Sequence, residues 1–307
     1  MIPVENDEVT VNLGLPKGSM QLVEQERSRA VLEALKDYPR SHAAGGSAAN
    51  TIHGLARLGA STGYIGMVGD DELGKAFTDD LIRAGVETHM VQSETTTGRA
   101  VALITPDSER TFATCLGAAV ELTAGHLSPG IFQSYHYFHI EGYLVQNHDL
   151  IRRAVEIAKS LGMTVSLDMA SYNVVEANRD FLHDIVRRYV DILFANEEEA
   201  LAFTGHKPEA AVHEISKFTE IAIVKTGSNG SLLKTTAEYC EIGVIPITPI
   251  DTTGAGDLYA SGFLYGHSKG LSLQRCGELG ALLAGNVIEC MGADRKSTRL
   301  NSSHRIR

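Results

Sequence analysis

The sequence predicts an α/β protein: a mostly parallel sheet with helices on both faces and a small β-sheet standing outside it. Three observations carry that expectation. From residue 135 onward, short β-rich apolar runs alternate with amphipathic stretches of helical period, the pattern of strand–helix–strand units. Two further β-rich runs flank Thr105-Pro106-Asp107-Ser108-Glu109, a hairpin signal outside that rhythm. Near the far end, Asp251-Thr252-Thr253-Gly254-Ala255-Gly256-Asp257 opens directly into the apolar run 258–264, a glycine-rich entry to a helix.

Taken in order, the chain begins at Met1 with no expected opening strand, then holds a turn at Leu15-Pro16-Lys17-Gly18 and an extended piece over 19–23. Ala30, Val31, Ala34 and Leu35 give residues 26–38 a helical period. Residues 39–45 read as loop, and 47–58 as a helix of small residues stopped by Gly59. A strand over 64–70, a helix over 71–84 closed by Gly85, and an extended piece over 88–91 follow. The hairpin strands are 100–104 and 110–115. The regular part then predicts strands at 137–141, 164–168, 192–195 and 221–225, with β-pieces at 231–234 and 239–245. Helices are expected at 149–161, 180–189, 197–203, 209–218, 254–268 and 272–290. Ligands of such sheets sit at the carboxyl ends of the strands.

Composition narrows the function classes. With 307 residues, 43% hydrophobic and 21% charged, the chain can bury a large core. A formal charge of −11 without a basic block before the last dozen residues argues against a nucleic-acid partner. Cys115, Cys240, Cys276 and Cys290 lack metal-ligand spacing and read as reduced thiols of a cytoplasmic protein. No apolar run approaches a membrane span, and no signal pattern opens the chain. The absence of GxxxxGK[ST] and GxGxxG excludes a P-loop and a dinucleotide fingerprint. The twelve histidines show no HxxxH spacing.

Four short stretches carry chemistry, each with two readings. Unpaired N–H groups at the helix start near Gly254, Ala255 and Gly256 suit an anion, and Asp257 in the same turn suits a base acting on the group that attacks it. Alternatively the stretch is a turn, with Asp257 a favourable helix-start charge. Asn196 and Glu199, three apart after a strand end, suit Mg²⁺ or equally an N-cap with its capping box. Gly227-Ser228-Asn229-Gly230 is a hairpin turn or a set of amides for phosphates. Gly45-Gly46-Ser47-Ala48-Ala49-Asn50 lets a ligand approach the backbone, with Asn50 bonding a hydroxyl, or allows close helix packing.

In this order, with Gly66-Met67-Val68-Gly69-Asp70-Asp71-Glu72-Leu73-Gly74 between the glycine-rich stretches and Asn196-Glu197-Glu198-Glu199 further on, these pieces resemble the ribokinase-like (PfkB-type) sugar and nucleoside kinases from about residue 11 to 293. The run Glu141-Gly142-Tyr143-Leu144 and the hairpin are most similar to the bacterial adenosine-kinase-like subgroup. The resemblance implies a three-layer αβα sandwich of residues 26–93 and 119–293 with a β-lid of residues 1–25 and 94–118, over which two chains could pair. It implies ATP-dependent phosphorylation of a primary hydroxyl, on adenosine first and a sugar second. By it Asp257 is the base and Gly254, Ala255 and Gly256 the anion hole. Gly45, Gly46, Asn50 and Glu141 face the acceptor, while Lys225, Gly227, Gly230 and Thr253 follow the nucleotide. Asn196 and Glu199 organise Mg²⁺ through water, and Asp251, with carbonyls near Gly292, matches a site for K⁺.

Two departures accompany it. Family members open with a core strand ending in an Asn/Asp pair that grips the acceptor's hydroxyls, and no such core strand is expected before Val11. Residues 294–304, DRKSTRLNSSH, look like one reading frame of a sequencing-library adapter, so 294–307 is read as a non-biological tail in place of a closing helix. A chain truncated at both ends, binding ligand without turnover, is therefore the rival reading to an active kinase.

Overall fold

The computed structural model describes residues 1–41, 43–107, 109–247 and 250–289. The tail, the carbonyls near Gly292 and Cys290 lie outside them. The described chain forms two compact units.

The first unit comprises residues 1–45, 64–83 and 88–122. Its four-stranded sheet runs in the order Ile2–Pro3, Thr97–Ile104, Arg110–Gly117, Met20–Leu22. The two central strands are the expected hairpin, antiparallel with Ala102 opposite Phe112. The unit extends beyond the stretches expected for the small sheet, because Val31 and Leu35 of the helical segment after residue 24 are buried against Val101, Leu103 and Ala113. That helix, Gln25–Ala34, ends earlier than its period suggests.

The expectation of no opening strand is corrected here. Ile2 pairs with Leu103 in parallel, and the Val4 N–H donates to Ile104 O at 2.9 Å. Two residues, one a proline tolerated only at a sheet edge, are too few to show alternation. The strands Gly63–Gly69 and Glu87–Ser93 pair with each other, with the helix Glu72–Arg83 between them in sequence. Asp71, between glycine and helix, accepts from Thr97 N at 2.8 Å, Thr97 Oγ1 at 2.7 Å and Gly74 N at 2.8 Å. In the structure this acid therefore ties a helix start to a strand.

The second unit holds residues 46–63, 84–87 and 123 onward. Its sheet has six strands in the order Tyr239–Ile242, Ser231–Lys234, Ile221–Lys225, Ile192–Asn196, Thr164–Asp168, Tyr137–Glu141. The last four are mutually parallel and the first two join antiparallel at one edge. Both faces are buried, so the strands read as near-continuous apolar runs. On one face Ile192, Phe194, Ile221 and Ile223 pack with Tyr259, Phe263 and Leu264 of Ala255–Ser268. Leu193, Ala195, Ala222 and Val224 alternate to the other face and are wholly buried. The helices His148–Ser160, Arg179–Tyr189 and Pro208–Ile215 connect the parallel strands.

Helix Ala255–Ser268 is buried on nearly every side. A Cβ on Gly262 would lie 2.4 Å from Leu279 O, so this position lets the helix approach Leu273–Ile288 backbone to backbone. The short helix Tyr172–Ala177 and the 3₁₀ segment Gly142–Gln146 had no periodic signal, being under two turns long. Among the described residues no helix is long and apolar enough to cross a membrane.

Candidate active site

Four parallel strands end at one edge of the sheet, and their last residues are Glu141, Asp168, Asn196 and Lys225. Glu141 lies opposite Asp168, and Asn196 opposite Lys225. Strand registry alone thus assembles polar groups where ligands of such sheets bind. Asp168 was not singled out from sequence. The signal was an acid closing a strand over 164–168, which says nothing about partners until the neighbouring strands are aligned.

Gly254 starts the helix Ala255–Ser268 with φ +79°, a left-handed conformation costly for a side chain-bearing residue. The turn leaves first-turn N–H groups without intrahelical partners. One of the three expected anion-hole amides is engaged, since the Ala255 N–H donates to Thr252 O at 3.2 Å. Asp257 follows in the same turn. Its Oδ1 accepts from Ser47 Oγ at 2.6 Å and its Oδ2 from Asn50 Nδ2 at 2.8 Å. Thr51 Oγ1 donates to the Asp257 carbonyl at 3.2 Å. The glycine-led helix Ser47–Arg57 therefore orients the Asp257 carboxylate directly. Ser47 and Thr51 escaped the sequence reading, because contacts spanning 210 and 206 residues leave no local trace.

Burial pushes the Asp257 carboxyl up, opposed by the Ser47 and Asn50 bonds; Asp168 raises it further and Lys225 lowers it. Lys225 Nζ donates to Asp168 Oδ2 at 2.5 Å. Burial works against the ammonium, but Asp168 and Glu199 outweigh it and hold Lys225 above its ordinary range. A Cβ on Gly256 would come within 3.2 Å of that Nζ, so the lysine stands over the glycine-rich helix start.

Thr51 Oγ1 also stands 3.5 Å from Glu141 Oε1, which contacts His139 Nε2 at 3.3 Å, while Glu141 Oε2 is buried without a hydrogen-bond partner among the described residues. Burial raises Glu141 to about 7, with the His139 bond lowering it and Asp168 adding to the rise. Glu199 is also raised to about 7, through burial first and Asp168 second. Among the described residues, the carboxyl groups of Glu141, Asp168, Glu199 and Asp257 thus act on one another in this site, together with the Lys225 ammonium.

Asn196 and Glu199 form a capping box. Asn196 N donates to Glu199 Oε2 at 2.7 Å, Asn196 Nδ2 to Oε1 at 2.8 Å, and Glu199 N to Asn196 Oδ1 at 2.8 Å. The geometry is that of the capping box. The carboxylate caps a helix and still belongs to a site with surplus negative charge, which fits a divalent cation held through water. Among the described residues no group of three or more His, Cys, Asp or Glu is arranged to hold a metal directly. We expect Asn196→Ala to cost about 1–2 kcal/mol in urea unfolding, through the lost cap and the stranded Glu199 carboxyl.

The remaining candidates separate. Gly227 and Gly230 bracket a 3₁₀ turn between antiparallel strands, with Thr226 N donating to Gly230 O at 2.8 Å. A Cβ on Gly230 would fall 1.9 Å from Ile242 O, so hairpin geometry alone requires glycine there. Asp251 Oδ1 accepts from Thr253 N at 3.0 Å and ties the approach to Gly254. Gly46, with φ +107°, precedes the helix bearing Ser47 and Asn50, whereas Gly45 belongs to the first unit, as the last residue of its first segment.

The pfkB family carbohydrate kinase model matches residues 23–299. Two solved structures cover 95% of this chain and 91% of their own, each at 34% identity and TM-score 0.87: a probable sugar kinase from Rhizobium etli and the adenosine kinase from Sinorhizobium meliloti. A third, an E. coli protein assigned as a ribokinase II in complex with ATP and Mg²⁺, is 25% identical with TM-score 0.77, covering 85% of this chain and 88% of that one.

Proposed function

Because the chain belongs to the pfkB family of carbohydrate kinases, and so to the phosphotransferases with an alcohol acceptor, we propose that it transfers the γ-phosphate of ATP to the primary hydroxyl of adenosine. The observation that carries this reading is the Asp257 carboxylate, oriented by Ser47 and Asn50 in the first turn of a glycine-led helix, with Lys225 over Gly256.

Asp257 accepts the proton of the acceptor hydroxyl. An ordinary carboxyl is a weak base, near 4. Burial makes this one stronger, and the loose transition state of phosphoryl transfer needs only late proton removal. The Gly254 and Gly256 amides, the Ala255 N–H on release from Thr252 O, and the Lys225 ammonium serve the oxygens on which charge accumulates. Asn196 and Glu199 would hold Mg²⁺ through water, and the ion would neutralise phosphate charge when bound. Asn50, donating to Asp257, orders the base as well as the space beside it. Gly46 keeps side-chain bulk out of that space, and Glu141, linked to it through Thr51, brings a carboxyl oxygen that has no partner among the described residues. Thr253, Gly227 and Gly230 present backbone on the nucleotide side, and Asp251 is the candidate contact for K⁺.

A second reading, transfer to a sugar hydroxyl, is favoured by the equal likeness to the Rhizobium etli protein. Incubation with ATP, Mg²⁺ and separate samples of adenosine, ribose and fructose decides between them. Chromatography is expected to show AMP and ADP with adenosine. A phosphorylated sugar without AMP contradicts the adenosine assignment, and no ADP with any acceptor contradicts turnover by this chain.

A further inference from the structure

Beyond Asp168 the chain makes a turn that ordinary residues avoid. Ala170 has φ +63°, alone among the described non-glycine residues, and Ser171 N donates across it to Met169 O at 2.8 Å. This is a three-residue γ-turn of the strained hand. Such a conformation persists only where its surroundings over-determine it. Three contacts do so. Met169 N donates to Phe194 O at 3.1 Å, continuing the ladder to the next strand. Ala170 N donates to Asp168 Oδ1 at 3.2 Å. Tyr143 Oη donates to Ala170 O at 3.1 Å. The segment carrying Tyr143 is seated closely, for a Cβ on Gly142 would lie 2.4 Å from Met169 O.

The other oxygen of Asp168 receives the Lys225 ammonium, which stands over Gly256. We propose that Tyr143 is a positioning residue for phosphoryl transfer: its hydroxyl latches the strained turn at Ala170, the turn fixes Asp168, and Asp168 holds Lys225 at the phosphate side of the glycine-led helix. The proposal rests on the kinase reading of Lys225 as a phosphate contact. Lysine is a point charge on a long flexible stem, so its aim depends on what anchors it. Without the latch, residues 169–171 relax toward ordinary backbone and Asp168 loses the Ala170 N–H. Lys225 then has Glu199 and Glu141, both of which act on its charge, as competing partners.

Tyr143→Phe removes the hydroxyl and keeps the ring. We expect kcat/KM for Mg·ATP to fall about tenfold, the worth of one well-placed hydrogen bond, with the acceptor KM within about twofold of wild type. The decisive readout is a double-mutant cycle with Asp168→Asn: once Asp168 is gone, removing the Tyr143 hydroxyl has no further effect. Should Asp168→Asn fail to fold, Lys225→Gln replaces it in the cycle. An unchanged kcat/KM for Mg·ATP in Tyr143→Phe, or effects that multiply in the double variant, overturns the proposal. A readout independent of turnover is the ¹⁵N resonance of Lys225 Nζ in the nucleotide-free chain. Tyr143→Phe is expected to shift it, and an unmoved resonance also overturns the latch. Absence of phosphoryl transfer by the wild-type chain counts against the kinase reading instead, because the lysine resonance still reports on the latch.

Discussion

Asp257→Asn lowers kcat by on the order of 10² to 10⁴ while leaving the fold intact. Asparagine keeps the shape and still accepts from Ser47 Oγ through its one oxygen. It cannot take a proton, and its amide faces the Asn50 amide that now donates to Oδ2 at 2.8 Å. The loss therefore falls on kcat more than on the KM for ATP, since the amides at Gly254 to Gly256 and Lys225 are untouched. Steady-state kinetics with adenosine, beside a thermal melt of each protein, checks this. Turnover within a few-fold of wild type in a folded variant removes Asp257 as the base.

Glu141→Gln stabilises the chain at pH 8 by on the order of 3 kcal/mol and by little at pH 4.5. The sign follows from linkage. Burial lifts the Glu141 carboxyl from 4.5 to about 7 in the folded protein, so the folded state keeps a proton that the unfolded chain releases. The stability this proton confers is full below about 4.5 and is lost as pH rises through about 7. Glutamine is neutral throughout and escapes that loss, at ~1.4 kcal/mol for each pH unit of the interval. Its uncharged side chain also relieves Glu199, raised partly by Glu141 in the same site. Urea unfolding in EDTA at several pH values measures the gap between variant and wild type. A gap that does not widen from pH 5 to pH 8 contradicts the assignment of a raised Glu141 carboxyl.

Much of this architecture was legible because strands buried on both faces are short apolar runs bounded by polar residues. The strands 137–141, 164–168, 221–225 and 231–234 are found at the residues expected. Shorter elements escaped. Ile2–Pro3 takes its strand character from pairing with Leu103, which no local pattern encodes. In the site, the sequence separated the glycine-rich stretches from ordinary turns only through their order, and the structure adds the reason they belong together. Ser47 and Asn50, at the start of one helix, bond the carboxylate at the start of another. The Asn196–Glu199 pair was ambiguous between cap and cation site, and its hydrogen bonds form the cap without removing the charge. Asp168 and Tyr143 were invisible as partners, since one acts through Lys225 and the other through a backbone carbonyl in a turn whose strain depends on tertiary contacts.

The central claim is that the helix start at Gly254 to Gly256 gathers the migrating phosphate beside Asp257. Crystals grown with adenosine, Mg²⁺ and the β,γ-imido analogue of ATP test it most directly. The account predicts terminal-phosphate oxygens within hydrogen-bond reach of those amides and the adenosine primary hydroxyl on the Asp257 carboxylate. A terminal phosphate bound away from that helix start, or an acceptor hydroxyl out of reach of Asp257, would contradict it.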